Sequence, residues 1–421
     1  MICMKTFMKS NKIWLSLLSG LFLTACSSIP VLTVTVENPL EQRRTSEIVE
    51  VKAEALKNHF PTGNSKYLLK DDQNHEIAYQ ITHEGNLIFP VCLNAKEIQT
   101  FYISEGNPSN VPISTCGKQY PERVDDIAWE NDKIAFRTYG PALQRNKERA
   151  FGYDIWLKNT KDLVVEKRYA KELNPETRAY IQKLRKDGKK EKADSIARAI
   201  SYHIDHGNGM DCYKVGPTLG AGTAALMLKD SSIIYPYCYK DFEILDNGPL
   251  RFKVKLTYHP FELDGKNVVE TRIIQLDQGS HLNQTEVSYS GLGDSYPLGV
   301  GIVIQPHHKE KYAFSKTKGY MSYIDPTDNP NNGNGLIYVG AVMPEKLNEI
   351  KPCFFTDEER KEHGNASGHI MGFTTYQPNS SFTYYWGAGW SKSDIKSEEQ
   401  WISYLKDFSN QVKNPLIIKT K

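Results

Sequence analysis

The run Arg251-Phe252-Lys253-Val254-Lys255-Leu256-Thr257-Tyr258 decides the fold class of this chain. Its apolar residues occupy every second position and polar residues lie between them, which is the period of a half-buried β-strand. Further strand signals, divided by turn clusters, follow at residues 268–276, 285–290, 300–304, 336–340 and 382–386. So many long strands predict a mainly β chain with a large domain of two packed sheets.

Towards the N-terminus the strand signals become shorter. They lie at residues 33–36, 47–51, 87–89 and 101–103, with turn formers between them. A small β-sandwich domain is therefore predicted over residues 26–112, and its turn-rich end, 105–112, is the predicted linker. The large domain is predicted over residues 113–421.

One segment of the large domain has helical character instead. Asn174 and Pro175 are typical of an N-cap and a first helical position, and apolar residues recur at helical spacing after Gly188. We expect a helical insertion at about residues 173–202. Its basic residues form either a solvated charged face or an electrostatic collar for an anionic ligand. These residues are Lys183, Arg185, Lys186, Lys189, Lys190, Lys192 and Arg198.

The first 25 residues predict export as a lipoprotein. Basic residues precede the apolar run 13–23, which is too short to span a bilayer, and Leu23-Thr24-Ala25-Cys26 resembles a lipoprotein cleavage site. We predict a signal peptide at residues 1–25 and a lipid anchor to the membrane on Cys26; an ordinary signal peptide with an incidental cysteine is the alternative. Since no acidic run follows Cys26, we expect the periplasmic face of the outer membrane within the cell envelope.

Charge and composition narrow the class of partner. The chain has 52 Lys plus Arg against 50 Asp plus Glu, and loss of a leader containing Lys5, Lys9 and Lys12 leaves it near neutral. A nucleic-acid partner is therefore not expected. Aromatic residues make up 11% of the chain, with Tyr dominant, which suits β-structure and also sugar binding.

The run 202–216 has the most functional character in the chain. Histidine moves protons near neutral pH, a neighbouring aspartate can fix its tautomer, and glycines favour a loop on a rigid scaffold. A polar turn held by its own hydrogen bonds is the alternative. The candidate residues of this run are His203, Asp205, His206, Asp211, Tyr213 and Lys214.

Two further groups of residues could contact a substrate. Arg137 and Tyr139 are two apart on a predicted strand and share a face, so arginine could clamp a uronic acid carboxylate beside the tyrosine. Tyr153 follows shortly after them. Trp386 and Trp390 flank a Gly-Ala-Gly bend and either offer flat faces to sugar rings or fill the core.

No cofactor or metal is predicted. The chain has no GxSxG elbow, P-loop or dinucleotide fingerprint, and His203, Asp205, His206 and Asp211 match no zinc spacing. The cysteines lack CxxC spacing; for a disulfide, Cys212–Cys238 is the first candidate pairing and Cys92–Cys116 the second.

The chain resembles the Bacteroidetes lipoproteins grouped as domain-of-unknown-function family 4861. The likeness rests on segments 35–39, 77–80, 87–89 and 135–142, and above all on the run 203–216. The resemblance implies a setting in the degradation of pectin and other polysaccharides. It also implies a large domain similar to the supersandwich of galactose mutarotases and polysaccharide lyases.

Two hypotheses of function follow. The first is an enzyme that cleaves uronic-acid-containing, pectin-like oligosaccharides by β-elimination or hydrolysis; the second is a non-catalytic sugar-binding lipoprotein. Under the first hypothesis, the expected partner is an acidic oligosaccharide. The predicted catalytic residues of this enzyme are His203, His206, Asp205, Tyr139 and Tyr213, and its predicted substrate-binding residues are Arg137, Lys214, Asp211, Tyr153, Trp386 and Trp390.

Overall fold

The computed structural model describes residues 30–61, 66–146, 148–345 and 347–421. The leader and Cys26 lie outside the described residues. The strands are β1 (Val31–Glu37), β2 (Arg44–Val51), β3 (Tyr67–Asp71), β4 (Gln80–Ile81), β5 (Leu87–Leu93), β6 (Ile98–Glu105), β7 (Cys116–Tyr120), β8 (Asp126–Glu130), β9 (Ala135–Thr138), β10 (Asp154–Lys158), β11 (Gly209–Asp211), β12 (Ala221–Leu226), β13 (Tyr239–Asn247), β14 (Arg251–Tyr258), β15 (Phe261–Leu263), β16 (Lys266–Asp277), β17 (Leu282–Ser290), β18 (Tyr296–Ile304), β19 (Tyr312–Ser315), β20 (Tyr320–Asp325), β21 (Ile337–Val342), β22 (Glu349–Phe354), β23 (Gly368–Tyr376), β24 (Ser381–Trp390) and β25 (Ile417–Thr420). The helices are α1 (Ala53–His59), α2 (Pro141–Arg145), α3 (Val165–Glu172), α4 (Pro175–Lys186), α5 (Lys190–Ile200), α6 (Asp357–Glu362) and α7 (Glu398–Lys413).

The N-terminal strands form a small sandwich. One sheet has the order β25-β1-β6-β3 and the other β2-β5-β4, and both contribute to a core that includes Val34, Val49, Phe89 and Phe101. The last strand, β25, pairs antiparallel with β1, so that Thr33 and Lys421 exchange backbone hydrogen bonds of 2.9 Å. A segment from the far end of the sequence therefore completes the small sandwich.

The larger β unit is built around a nine-stranded sheet with β24 and β17 near its centre. The predicted strand at 251–258 is β14, whose apolar residues are buried against the opposite layer. That layer consists of a five-stranded sheet, β11-β10-β9-β8-β7, and a four-stranded sheet, β12-β18-β23-β22. Aromatic side chains join the layers, and the rings of Tyr153 and Trp386 stack at 4.0 Å.

Helices α3, α4 and α5 connect β10 to β11; α3 packs on the outer face of the five-stranded sheet, and α4 and α5 pack on each other. Asn174 caps α4 by accepting a hydrogen bond from the Thr177 amide, as the sequence indicates. The helical segment begins at Val165, earlier than expected, because Val165 and Tyr169 pack with Trp156 on the sheet. The basic side chains of the insertion are exposed, and Arg185 forms an ion pair of 3.2 Å with Asp194.

The predicted fold class is confirmed: the chain is mainly β, with a small N-terminal sandwich, a larger β-sandwich and a helical insertion. The five cysteines within the described residues are all unpaired, so the expected Cys212–Cys238 disulfide is absent from them. No helix in the described ranges is long and apolar enough to cross a membrane.

Candidate active site

The candidate site lies at one end of the outer face of the five-stranded sheet, beside the helical insertion. Strand alternation places Asp126, Arg137, Asp154 and Asp211 on this face, because their neighbours Ile127, Phe136, Ile155 and Met210 belong to the core. Arg137 lies directly opposite Asp154 in the antiparallel pair β9–β10. Three carboxyl groups thus surround one guanidinium group.

Arg137 uses its donors within the protein. Its Nη2 donates to Asp211 Oδ2 at 2.9 Å, its Nε donates to Asp154 Oδ2 at 2.7 Å, and its Nη1 donates to the hydroxyl of Tyr169 at 3.3 Å. The residue is 4% exposed. The predicted role of Arg137 as a clamp for a substrate carboxylate therefore does not fit, since the clamp is already filled by two aspartates.

The carboxyl groups of this cluster have perturbed acidity. Burial raises the pKa of Asp126 to about 7, although Arg137 and Arg123 oppose the shift. Burial also raises the pKa of Asp211 to about 6, against the pull of Arg137. Both oxygens of Asp126 are buried and lack a hydrogen-bond partner among the described residues. Strongly perturbed groups of this kind are typical of functional sites.

Tyr139 is half-buried and adjoins the cluster. Its hydroxyl donates to Asp154 Oδ2 at 2.9 Å and lies 3.5 Å from Arg137 Nη2. Burial, followed by the charge of Asp154, raises the pKa of Tyr139 well above its ordinary value. The phenol is therefore protonated near neutral pH and can donate a proton only to a strongly basic oxygen.

His203 lies at the open side of the cluster, with 49% of its side chain exposed. Its Nδ1 is 3.0 Å from the backbone oxygen of Asp211, which can only accept, so Nδ1 carries the proton. The Asp211 carboxylate lies 3.8 Å from the same nitrogen and can stabilise the charged ring. His203 Nε2 then presents a lone pair to solvent, as a general base requires.

Arg123 was missed by the sequence analysis. Its Nε donates to the hydroxyl of Tyr202 at 3.0 Å, the ring of Tyr202 contacts the ring of His203 at 4.5 Å, and its Nη1 lies 3.8 Å from Asp126. The Arg123 side chain is 23% exposed. It is therefore a partly open guanidinium group that is connected to His203 through the side chain of Tyr202.

The remaining residues of the run 202–216 hold the loop or lie beside it. Asp205 Oδ1 accepts from the amides of Gly207 and Gly209 at 2.9 and 3.0 Å, and His206 Nε2 donates to the Ser201 carbonyl at 3.0 Å. Lys214 is exposed and donates to the carbonyl of Gly364 at 3.0 Å. These contacts place neither Asp205 nor His206 on the Arg137 cluster.

Tyr213 is buried next to the cluster rather than on its surface. Burial and then the charge of Asp325 raise its pKa well above the ordinary value, and its hydroxyl has no partner among the described residues. Burial raises the pKa of Asp325 to about 7. Tyr213 is thus enclosed, which makes a direct catalytic contact with a polymer difficult.

The other predicted substrate contacts are part of the core. Trp386 and Trp390 are 0% and 2% exposed, and Tyr153 is 1% exposed. The Tyr153 hydroxyl accepts from Arg272 at 3.0 Å, and the Trp386 indole donates to Thr285 at 2.8 Å. Neither tryptophan offers a free face to a sugar, because both rings fill the space between the sheets.

Among the residues that the structure describes, no group of three or more His, Cys, Asp or Glu side chains is arranged to hold a metal ion.

Comparison with known proteins identifies the family. Residues 36–418 match the family described as Domain of unknown function (DUF4861). The chain belongs to this family. The resemblance drawn from the sequence is thereby confirmed. Uncharacterized protein P7 of Formosa agariphila is 24% identical to this DUF4861 protein over 401 residues, which cover 91% of this chain and 92% of that protein.

Two solved structures from Enterococcus faecalis are also similar. An alpha-mannosidase has a TM-score of 0.47 at 9% identity and matches 93% of this chain. A protein in the glycosyl hydrolase family 38 has a TM-score of 0.44 at 10% identity and also matches 93% of this chain. The chain spans 46% and 47% of the length of these two proteins.

Proposed function

We propose that this DUF4861 protein is a carbohydrate-active enzyme that cleaves uronic-acid-containing, pectin-like oligosaccharides by β-elimination. The observation that carries the proposal is His203, whose Nδ1 is fixed as a donor by the Asp211 carbonyl at 3.0 Å and whose Nε2 is open. A base of this kind can remove the proton next to a uronate carboxylate.

Each step of the elimination is assigned to a residue in or beside this cluster. Arg123 binds the uronate carboxylate and lowers the barrier to removal of the neighbouring carbon-bound proton. The proton passes to His203 Nε2, the electron pair forms a carbon–carbon double bond, and the bond to the leaving oxygen breaks. Tyr139 gives its proton to that oxygen, and Arg137, 3.5 Å away, stabilises the phenolate. His203 then releases its extra proton to solvent, and Tyr139 takes up a proton from solvent.

Elimination fits this cluster better than hydrolysis. Hydrolysis by a pair of carboxyl groups requires both to reach the glycosidic bond. Asp126 and Asp154 are 0% exposed and Asp211 is 2% exposed. Asp205, the other predicted carboxyl group, accepts two amide hydrogen bonds within its own loop.

The test measures products and compares two neighbouring histidines. Pectic, glucuronan and ulvan oligosaccharides are incubated with the purified protein, and ultraviolet absorbance of the unsaturated product is followed together with new reducing ends. We expect His203→Ala to lower kcat by about 10²–10⁴-fold. His206→Ala is the matched control, because its side chain is also exposed to solvent on the same loop but bonds only to Ser201.

Three results would contradict the proposal. They are reducing ends without unsaturated product, the absence of any product across the panel, and equal loss of kcat in the two histidine variants.

Arg123→Gln should raise KM for acidic substrates by roughly tenfold while the fold is retained, since it removes the charge that holds the carboxylate.

We also propose that the protein is anchored by lipid on Cys26 at the periplasmic face of the outer membrane. The support is the leader pattern at residues 1–26. Cys26→Ala should release the protein from the membrane fraction, and protease treatment of intact cells should leave the wild-type protein uncut. Digestion of the protein on intact cells would place it on the outer surface instead.

A further inference from the structure

A cleft far in sequence from the His203 loop lies between the small sandwich, the nine-stranded sheet and α7. Its volume is about 430 Å³, within the range of about 300–1,000 Å³ that is typical of small-ligand sites. Gln275, Gln284 and Tyr385 form its floor, and they lie directly opposite one another on β16, β17 and β24. The floor is therefore a row of outward-facing side chains across three strands.

Two walls rise from this floor. One is α7, on which Tyr404, Phe408 and Gln411 recur at helical spacing and face the cleft. The rings of Tyr385 and Phe408 meet edge to face at 5.0 Å. The other wall comes from Arg43 and the start of β2 in the small sandwich. Aromatic rings and planar amides thus line the same space.

The charges of the cleft are largely neutralised within the protein. Arg251 donates to Asp277 at 2.7 and 3.0 Å and to Glu50 at 2.9 Å. Glu47 is paired with Arg44 at 2.6 Å. Arg43 Nη2 donates to Cys92 Sγ at 3.2 Å, and Asp407 lines the cleft without an ion pair to any described residue. Two arginines and three carboxylates line the cleft, so it has no excess positive charge with which to select an anion.

The hydrogen-bonding groups that remain suit a polyol. Gln278 Oε1 is buried without a partner among the described residues, and Gln278 lines the cleft. An unpaired buried acceptor is unfavourable unless a donor reaches it. Gln284 and Gln411 add amide groups, and a hydroxyl group can both donate to and accept from an amide.

We propose that this cleft binds an uncharged sugar residue of an oligosaccharide, with Tyr385 or Tyr404 against the ring and Gln278, Gln284 and Gln411 on its hydroxyl groups. The site goes beyond the proposed elimination, because it would take neutral sugars while the His203 cluster takes uronates. A heteropolysaccharide that contains both kinds of sugar could occupy both sites.

The experiment is calorimetric titration of the purified protein with neutral gluco-, galacto-, manno- and xylo-oligosaccharides, and with oligogalacturonate as the acidic counterpart. We expect at least one neutral oligosaccharide to bind. Gln284→Ala should weaken that binding by about tenfold or more, since it removes a side-chain contact. Glu286→Ala is the matched control, because Glu286 is two residues further along β17 on the same face and does not line the cleft.

A second variant guards against indirect effects on the fold. Thr45 is exposed at the rim, so Thr45→Trp should block the cleft without removing a buried contact. Unchanged binding in Gln284→Ala and Thr45→Trp, binding of the acidic counterpart alone, or no binding across the panel would overturn the proposal. His203→Ala separates the two sites: it should lower kcat as described above and leave this binding within about twofold.

Discussion

The outer face of the five-stranded sheet carries two buried ion clusters that differ in one respect. At one end, Lys158 donates to Glu130 at 2.7 Å, each side chain is 1% exposed, and Glu130 also accepts from the amides of Val164 and Val165 at 2.8 Å. At the other end, Arg137 is shared among three aspartates, and Asp126 has no hydrogen-bond partner among the described residues. The first cluster is balanced and the second is not.

This difference is the basis for assigning a structural role to the first cluster and for proposing a functional role for the second. A buried pair with all its hydrogen bonds made fixes the fold and leaves nothing for a ligand. A buried cluster with excess carboxyl groups keeps protons that can be exchanged near neutral pH. Burial alone does not distinguish the two clusters, because the charged side chains of both are buried.

The largest effect is expected at the balanced end. Lys158→Met leaves the Glu130 carboxylate buried without its cation and should lower the free energy of unfolding by about 3–5 kcal/mol, measured by denaturant titration. Glu130→Gln in the same background removes the unpaired charge and should recover part of the loss. A decrease below about 1 kcal/mol would show that the pair contributes no more than a surface pair.

The unbalanced end should make stability depend on pH. The pKa of Asp126 is raised from 3.8 to about 7, and that of Asp211 from 3.8 to about 6. Between the ordinary and the raised pKa of each group, the folded state holds more protons than the unfolded state. The free energy of unfolding should therefore fall as pH rises from 4 to 7, by about 1.4 kcal/mol per pH unit for each group within its window. Asp126→Asn should flatten this slope. The same slope in wild type and variant would contradict the raised pKa of Asp126.

A smaller effect is expected from Tyr139→Phe. It removes the hydroxyl that donates to Asp154 at 2.9 Å and should cost about 1 kcal/mol of stability. If Tyr139 supplies the proton to the leaving oxygen, kcat should also fall while KM is retained. Tyr169→Phe is the control, since its hydroxyl also contacts Arg137 but the residue is buried. Equal losses of kcat in both variants would assign Tyr139 a purely structural role.

The smallest effect is expected from Asp205, a positioning residue of the His203 loop. Asp205→Ala removes the acceptor for two amides and should cost about 0.5–1 kcal/mol, with a decrease in kcat from misplacement of His203. Asp205→Asn retains an acceptor oxygen and should restore most of kcat. Failure of this rescue would indicate that the carboxylate charge, and not the loop geometry, is what matters.

The sequence predicted the parts of the fold that depend on local periodicity. The alternation at 251–258 and the cap at Asn174 both identified their elements, because each signal lies within one strand or helix turn. The start of the insertion at Val165 was missed, since its few apolar positions pack on Trp156 across a chain reversal. Pairing of β25 with β1 depends on a contact between opposite ends of the chain, which no local pattern encodes.

The site was predictable to a similar extent. Arg137, Tyr139, Asp211 and His203 were chosen for their chemistry, and the structure brings them into successive contact. Asp126 and Asp154 were overlooked because their relation to Arg137 depends on the order and register of β8, β9 and β10. The tryptophans were assigned wrongly to a surface role, since sequence does not distinguish an aromatic ring in the core from one on a surface.

The pairing of β1 with β25 also bears on how the chain is made. Residues 31–105 of the small sandwich emerge early in synthesis, but the partner of the β1 edge is not available until Ile417–Thr420 has been produced. Until then, β1 exposes an unpaired strand edge, which is a template for association with other chains. The nascent protein therefore has an interval of aggregation risk that lasts for almost its whole translation, and protection of that edge during synthesis would raise the yield of folded protein.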